Sequence, residues 1–416
     1  MKSFVTHLES AIDQTHLPAD QIQTLHADRP LWVRYDLPAI GRQMTKEGVK
    51  SRENSMWRYR ELLPVPAGEE VTLGEGMSPL LRCPKLGQQL GLQNLWIKDE
   101  SQLPTGSFKS RGLAMAISMA KHFGIPRVAI PTAGNAGGAT AAYAARAGIE
   151  AFVFMPEDTP VVNQYEAQLA GAHVYLVNGL INDCARIIRE GRSQLNWFDL
   201  STLKEPYRIE GKKTMGLELA EQFHWDLPDV ILYPTGGGTG LIGMWKAFHE
   251  LQELGWLNTP KMPRMISVQS DGCQPIATAF DSNQRFAEPH QNAMTCASGL
   301  RVPVAVGDFM ILDAIRESNG QAIAVDESSI STWTHQGCKA EGISICPETG
   351  ACIGALKSLI AASQIAPDER VVVFNTGASQ KYIEVLQDHA PELPRIDLNK
   401  PLDFDFIKGS SDAINR

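Results

Sequence analysis

The sequence predicts an α/β protein of two domains with largely parallel sheets and flanking helices. At 416 residues, with 43% hydrophobic and 20% charged residues, the chain is long enough for two cores and has a globular composition. From about residue 94 onward, short apolar runs alternate with stretches of helical pattern. These runs do not alternate apolar with polar residues, which favours parallel strands buried on both faces.

The first series of elements is expected to form one α/β unit between about residues 94 and 195. Its predicted strands are 95–98, 128–130, 151–155 and 174–177. Its predicted helices are 107–123, 135–147, 160–170 and 181–195. The strands are short and the helices exceed ten residues, as parallel βαβ connections require.

A second series follows, with predicted strands at 230–233, 265–268 and 371–374 and predicted helices at 212–224, up to 255, 308–318, 327–341, 349–363 and 378–389. We expect the following division: 1–60 as an N-terminal extension, 61–105 with 201–390 as the larger domain, 106–200 as the smaller domain, and 391–416 as a surface tail. Because ligands bind beyond the carboxyl ends of parallel strands, the cleft between the two domains is the expected site.

Charge and apolar content exclude several classes of function. The net charge of −9 and the pI near 5.6 argue against nucleic acid and anionic membranes as partners. Neither a signal peptide nor an apolar run long enough for a membrane span is present, so a cytoplasmic location is expected. The seven cysteines lack zinc or redox spacing, and no metal site is expected. Arg52, Arg58 and Arg60 are interpreted as a solvated face.

Lys109 is the first candidate for chemistry. It lies in the turn 104–111, at the start of an Ala- and Met-rich helical pattern, so folding should move its amine into a poorly solvated place. Desolvation lowers the pKa of a lysine, and the neutral amine attacks carbonyl groups. A packed helix-start lysine with its charge in water is the alternative interpretation.

A glycine-rich turn follows the strand predicted at 230–233 and precedes a helix. Its residues are Gly236, Gly237, Gly238, Thr239 and Gly240. Successive backbone amides at a helix N-terminus bind phosphate, yet the spacing matches neither a nucleoside triphosphate loop nor a dinucleotide fold. A phosphate monoester is therefore the expected ligand, with a tight structural turn as the alternative.

Two further strand ends carry polar groups. Thr132, Ala133, Gly134 and Asn135 form a turn in which Asn135 is able to donate to a phenolic oxygen or to cap the next helix. Thr376 follows the last predicted strand, where its hydroxyl is able to face a heterocyclic nitrogen or to cap a helix. Together these groups match the anchoring points of pyridoxal phosphate.

The chain resembles the fold-type-II pyridoxal-phosphate enzymes related to tryptophan synthase β over roughly residues 60–390. The resemblance implies that Lys109 carries the cofactor as a Schiff base beside Phe108 and that Asn135 contacts the 3′-oxygen. It also implies that residues 236–239 hold the phosphate, in the larger domain, and that Thr376 faces the pyridine nitrogen. Enzymes of this kind are usually homodimers, so a homodimer is expected.

Within that group the chain is most similar to the threonine synthase family. Residues 73–80, read Leu-Gly-Glu-Gly-Met-Ser-Pro-Leu, and residues 208–214, read Arg-Ile-Glu-Gly-Lys-Lys-Thr, are similar to two segments of that family. The similarity implies a lyase that converts O-phosphohomoserine to threonine and phosphate. It further implies that the loop 132–134 and Arg186 bind the substrate.

Several positions differ from the family pattern. Ser110 stands where an Asp is usual, and Ala133 and Ala136 replace hydroxyl-bearing neighbours of the asparagine. Gly237 and Gly240 replace asparagines that help to bind the substrate phosphate. A serine or threonine dehydratase, a diaminopropionate ammonia-lyase and a cofactor-binding regulator without turnover are therefore the alternatives.

Overall fold

The computed structural model describes residues 3–387, 395–399 and 404. Its strands are β1 Val5–Ser10, β2 His16–Leu17, β3 Leu31–Tyr35, β4 Leu80–Arg82, β5 Asn94–Asp99, β6 Arg127–Pro131, β7 Glu150–Pro156, β8 His173–Val177, β9 Phe198–Asp199, β10 Val230–Pro234, β11 Arg264–Ser270, β12 Gln321–Val325 and β13 Arg370–Asn375.

Helices cover the faces of the sheets. They are α1 Leu37–Gln43, α2 Lys46–Lys50, α3 Pro84–Leu90, α4 Lys109–His122, α5 Ala136–Ala147, α6 Val161–Leu169, α7 Ile181–Leu195, α8 Tyr207–Gln222, α9 Thr239–Glu253, α10 Pro275–Asp281, α11 Asp308–Glu317, α12 Ile330–Glu341, α13 Pro347–Ala361 and α14 Ile383–Gln387.

The larger sheet has six strands in the order β12-β11-β10-β13-β5-β4. All its pairings are parallel except that of β4 with β5. Side chains on β10 point to two apolar layers: Ile231 packs with α8, α9 and α11, while Leu232 packs with α3, α12 and α13. Burial on both faces explains why this strand reads as a continuous apolar run.

The smaller sheet has four parallel strands in the order β8-β7-β6-β9. Val128 and Ile130 of β6 pack with α4 and α5, whereas Ala129 packs against Cys184 and Ile188 of α7. The α/β class with mostly parallel sheets is thus confirmed. The division into domains given above stays a prediction.

The first 60 residues contain structure that the sequence did not reveal. Strands β1 to β3 form an antiparallel sheet of their own in the order β2-β1-β3. It is fastened to the body where the Tyr35 hydroxyl donates to Glu210 over 2.7 Å and Lys246 Nζ donates to the carbonyl of Val33 over 2.7 Å. The interpretation of the arginine cluster as a solvated face was wrong for Arg58, which is buried and pairs with Glu221 at 2.9 Å.

The predicted helices and strands from residue 94 onward are present, with end points shifted by a few residues. Strand β12 was missed, because only its Ala322 and Val325 are buried. The helix expected at 378–389 is a short 3-10 turn followed by α14, and its last two residues lie outside the described part of the chain. Most of the tail at 391–416 also lies outside it. Within the described residues, no helix combines the length and apolarity that crossing a membrane would need.

Candidate functional site

Lys109 is the first residue of α4, directly after a turn that is fastened to β13. Thr105 and Gly106 in this turn adopt positive φ values of 60° and 59°. The Phe108 amide donates to the carbonyl of Thr376 over 3.0 Å, and the Ala378 amide donates to Gly106 over 2.9 Å. These bonds hold the lysine at the carboxyl end of the larger sheet.

The environment of Lys109 lowers the pKa of its amine to about 7. Burial is the main cause, the nearby guanidinium of Arg208 adds to it, and the carboxylate of Glu348 opposes it. The side chain is still partly accessible because it faces a cleft. About half of such amines are neutral near pH 7, which is the protonation state a nucleophile or base requires.

The ring of Phe108 lies close to Lys109 and to a second buried amine. The Nζ atoms of Lys109 and Lys212 lie 4.4 Å and 3.9 Å from the centroid of its ring. Lys212 also donates to the backbone carbonyl of Phe108, and burial together with Lys109 holds the pKa of Lys212 well below its ordinary value. Sequence reasoning missed Lys212. It lies in the segment 208–214 that resembles threonine synthases, but no pattern there indicated a chemical role for it.

The glycine loop links β10 to the 15-residue helix α9. A Cβ on Gly236 would lie 2.2 Å from the carbonyl oxygen of Gly299, and Gly238 adopts φ +71° with Ile311 only 2.3 Å from a would-be Cβ. Both positions therefore require glycine. Residues 236–239 line the cleft at the N-terminus of α9, where amides and helix dipole favour a phosphate group.

Asn135 precedes α5 but does not cap it with its side chain. Its Nδ2 donates to the hydroxyl of Tyr382 over 3.1 Å, and its buried Oδ1 has no hydrogen-bond partner among the described residues. In the same turn, Thr132 directs its hydroxyl to the backbone of Gly134 over 3.0 Å. The amide of Asn135 is thus available to a ligand, whereas the Thr132 hydroxyl is occupied.

Thr376 follows β13 and is 5% exposed. It lines the same cleft, and its Oγ1 lies 3.6 Å from the buried thiol of Cys346. The neighbouring Asn375 is committed to structure, since its Nδ2 donates to Asp99 over 2.8 Å. A neutral hydroxyl is therefore the polar group that this strand end offers to a ligand.

One cleft of about 820 Å³, including its part open to solvent, collects nearly all the predicted site residues. Lys109, Phe108, Thr132, Ala133, Gly134, Asn135, Gly236, Gly237, Gly238, Thr239 and Thr376 line it. Arg186 does not: it lies on α7, is 54% exposed, and pairs with Asp183 at 3.7 Å and Glu190 at 3.8 Å. The structure keeps this arginine outside the cleft.

Sequence reasoning missed the wall made by residues 298–302. Arg301 lines the cleft there and pairs through both terminal nitrogens with Asp158, at 2.7 Å and 2.8 Å. Ser298 has a buried hydroxyl without a hydrogen-bond partner among the described residues. No motif marked this segment, because its position depends on packing against Gly236 and Gly134.

Glu348 and Tyr382 were also missed. Glu348 lies in the first turn of α13, where its Oε1 accepts from the Gly299 amide and from the Tyr382 hydroxyl, each over 2.8 Å. Its Oε2 is buried without a hydrogen-bond partner in the described chain. A glutamate in the first turn of a helix is a common N-terminal charge, so no sequence pattern indicated a further role for Glu348.

Comparison with known families matches residues 71–377 to the family described as pyridoxal-phosphate dependent enzyme. The chain belongs to this family. Among its relatives, the threonine synthase of Methanocaldococcus jannaschii is 33% identical over 362 residues, covering 86% of this chain and 89% of that protein. The threonine synthase of Methanosarcina acetivorans is 34% identical over 373 residues, covering 89% and 91%.

Solved structures with the same fold were also found. Threonine deaminase isoform 2 from Solanum lycopersicum superposes with a TM-score of 0.64 at 22% identity, covering 81% of this chain and 94% of that one. Maize serine racemase gives 0.63 at 20% identity, covering 75% and 93%. At these identities the agreement concerns architecture alone, and it confirms the fold-type-II class.

Pyridoxal phosphate is the cofactor of this family, and the residues of the cleft fit it. A lysine amine of lowered pKa, a glycine loop at a helix N-terminus, an asparagine whose Nδ2 has a second N–H to donate and a buried hydroxyl converge on one cleft. When bound, the cofactor accepts the electron pair released at the α-carbon of an amino acid.

Proposed function

We propose that the protein is a pyridoxal-phosphate-dependent lyase of the threonine synthase type, converting O-phosphohomoserine and water to threonine and phosphate. Relatives that carry the name threonine synthase cover most of the chain at 33% and 34% identity. The observation that carries the proposal is Lys109, whose amine has a pKa of about 7 and faces the cleft that the glycine loop lines.

Each predicted residue that lines the cleft receives a role in this proposal. Lys109 would hold the cofactor, and its free amine would remove the proton from the substrate α-carbon. The amides of residues 236–239 bind the cofactor phosphate, and Phe108 packs against the cofactor ring beside Lys109. Asn135 contacts the 3′-oxygen, and Thr376 faces the pyridine nitrogen. A hydroxyl there leaves that nitrogen largely unprotonated, which favours elimination and replacement over transamination.

The substrate phosphate needs a cation, and Arg301 supplies it. Its guanidinium lines the cleft and already binds a carboxylate through two nitrogens, the geometry that also suits a phosphate. Because Asp158 is 61% exposed, it is readily displaced as the partner of Arg301. Overall, the γ-carbon loses phosphate and gains a proton, while the β-carbon loses a proton and gains the hydroxyl of water. The loop 132–134 binds the substrate carboxylate.

A second candidate is an ammonia-lyase acting on serine, threonine or diaminopropionate. Arg186 lies outside the cleft, and Ala133 and Ala136 bring no hydroxyl to the asparagine loop. An enzyme whose substrate side chain carries no phosphate would need none of these groups. A cofactor-binding regulator is the remaining alternative, and it would show no turnover.

A substrate panel separates these functions. Purified holoenzyme is incubated with O-phosphohomoserine, serine, threonine and diaminopropionate, and threonine, phosphate and keto acid are measured. Threonine and phosphate in equal amounts support the proposal, whereas keto acid without phosphate release establishes the ammonia-lyase. Lys109→Ala should lose turnover and the visible absorbance of lysine-bound cofactor. Lys85→Ala, outside the cleft, is the matched control.

We also propose that the enzyme is a cytoplasmic homodimer, on the resemblance to fold-type-II enzymes. Sedimentation equilibrium should then give twice the chain mass of 45.6 kDa. A mass equal to one chain would contradict the dimer without affecting the proposed reaction.

A further inference from the structure

We propose that His7, Glu9 and His16 bind one divalent transition-metal ion, such as Zn²⁺, on the N-terminal sheet. His7 and Glu9 are two residues apart on β1, so their side chains share one face of the strand. In the antiparallel pairing of β1 with β2, Glu9 lies directly opposite His16. Strand register therefore brings two imidazoles and one carboxylate together, a donor set known from zinc sites.

The donor atoms are already close to the spacing that a metal needs. Nε2 of His7 and Nε2 of His16 each lie 3.7 Å from Oε2 of Glu9, and the three donor atoms lie within 4.8 Å of one another. Donors around a tetrahedral zinc ion are about 3.3 to 3.5 Å apart, from its bond lengths of about 2.0 to 2.2 Å. The cluster has to contract by only a few tenths of an ångström at these two pairs.

The ring orientations identify the side chain that must move. The two imidazoles are 3.9 Å apart between centroids with planes 30° apart, so their lone pairs do not yet converge. The His16 side chain is 65% exposed and therefore free to change its ring orientation, whereas His7 is 26% exposed and held by Thr6. Binding therefore proceeds by rotation of the His16 ring towards His7 and Glu9.

The hydrogen bonds of His7 leave its Nε2 without a partner, facing the other two ligands. The Thr6 hydroxyl donates to the carbonyl of Arg34 over 3.2 Å and lies 2.9 Å from Nδ1 of His7. Because a hydroxyl has a single proton, the Thr6 hydroxyl that donates to Arg34 is able only to accept from His7; in the tautomer with Nδ1–H, Nε2 keeps its lone pair. This Nε2 is buried and lacks a hydrogen-bond partner within the described residues. Its neighbour is a carboxylate oxygen, so two acceptors face each other where a cation would satisfy both.

Arg34 fixes the carboxylate and narrows the choice of metal. Its guanidinium donates to Oε1 of Glu9 over 2.6 Å and 3.0 Å, which leaves Oε2 directed at the imidazoles. The positive charge of Arg34 offsets the negative charge of Glu9, so the affinity for a metal ion depends mainly on the two histidines. Imidazole donors favour Zn²⁺, Co²⁺, Ni²⁺ and Cu²⁺, whereas Ca²⁺ and Mg²⁺ prefer oxygen ligands.

The proposed metal site lies on the N-terminal sheet and includes none of the cleft residues. Strand β2 has only two residues, and its pairing with β1 is the whole of its ladder. A metal that bridges His16 to β1 would fasten this strand and stabilise the folded chain by mass action. The sequence did not suggest it, because the three ligands follow no metal-binding spacing and meet only through strand register.

Titration of the full-length holoenzyme, freed of affinity tag and of metal, tests the proposal. Calorimetry with Zn²⁺ should give one ion per chain, and thermal unfolding should shift to higher temperature with Zn²⁺. His16→Ala and His7→Ala should each weaken binding by about tenfold or more. His173→Ala is the matched control, because His173 lies 3.2 Å from Glu150 on another sheet without a second imidazole. It should leave affinity unchanged.

Three results would overturn the proposal. The first is the absence of Zn²⁺ binding to the wild-type chain at micromolar ion, and the second is binding that survives His16→Ala, an exposed position where folding is not at risk. The third is a thiolate-to-metal absorption band with Co²⁺, which would assign the ion to cysteine. If His7→Ala unfolds the sheet, His16→Ala and His7→Asn decide the matter.

Discussion

The hydroxyl of Tyr382 donates a hydrogen bond of 2.8 Å to Oε1 of Glu348 and accepts one of 3.1 Å from Asn135. Tyr382 is 2% exposed and Glu348 is 3% exposed. Burial, with the nearby Glu348 adding to it, raises the pKa of Tyr382 well above its ordinary value. The tyrosine therefore keeps its proton and joins the asparagine loop of the smaller sheet to α13 beside the larger sheet.

Tyr382→Phe should destabilise the protein and loosen the site. Glu348 keeps only the Gly299 amide at Oε1, and Asn135 loses the acceptor for its Nδ2. An unsatisfied buried polar group costs about 1–3 kcal/mol, and the free energy of unfolding should fall by that amount in urea titrations. Tyr165→Phe, at a tyrosine 59% exposed, should change it by less than about 0.5 kcal/mol. Equal stability of the two variants would show that this hydrogen bond is unimportant.

Local patterns predicted most of the fold, because strands buried on both faces and long helices leave periodic signals. The strand-end loops at 132–135 and 236–239 were predictable for a related reason: glycine and asparagine there serve backbone geometry and anion binding. Glu348, Tyr382 and Arg301 were not predictable, since each acquires its role through a partner distant in sequence. Arg58 illustrates the same limit, because its burial depends on Glu221, 163 residues away.

Arg301→Ala should raise the KM for O-phosphohomoserine by about tenfold or more, because a charge-assisted pair with phosphate contributes about 1.5–3 kcal/mol. Asp158→Asn should lower KM, since it weakens the partner with which the substrate phosphate competes. Arg186→Ala, outside the cleft, is the control and should leave KM unchanged. Steady-state phosphate release measures all three. The reverse pattern, with Arg186 important and Arg301 neutral, would contradict the assignment.

The pKa of Lys109 predicts how cofactor uptake depends on pH. With a pKa of about 7, the neutral fraction of the amine rises roughly tenfold between about pH 6 and pH 8 and then levels off. The rate at which apoprotein and pyridoxal phosphate develop visible absorbance should follow that curve. An amine with the ordinary pKa of 10.5 would instead accelerate tenfold per pH unit throughout. The same reaction with N-α-acetyl-lysine corrects for titration of the cofactor itself.

The buried ion pairs of Arg111, on the same helix as Lys109, should contribute strongly to the free energy of unfolding. Arg111 is fully buried on α4 and pairs with Glu100 at 2.5 Å and with Glu218 at 2.6 Å. Arg111→Ala leaves both carboxylates without this partner in a buried setting, which typically costs about 3–5 kcal/mol. Urea titration should show that loss, whereas Arg127→Ala, at an arginine 46% exposed beside Glu150, should cost less than about 1 kcal/mol. A comparable small loss for Arg111→Ala would mean that its charge network is dispensable.

Gly236→Ala tests the glycine loop as the phosphate site. The new Cβ would lie 2.2 Å from the Gly299 carbonyl and 2.9 Å from Val302, so the backbone of the loop must shift and its amides must turn away. We expect the dissociation constant for pyridoxal phosphate to rise by about tenfold or more, which corresponds to about 1.4 kcal/mol. Gly41→Ala is the control, since its Cβ would meet only Leu254 at 3.5 Å. Pyridoxal, which lacks the phosphate, distinguishes a loss of phosphate binding from general damage to the site. If the loop binds phosphate, the affinity for pyridoxal should be weaker than that for pyridoxal phosphate and nearly the same in wild type and Gly236→Ala. An equal loss for both ligands would instead locate the damage at Lys109 or in the fold.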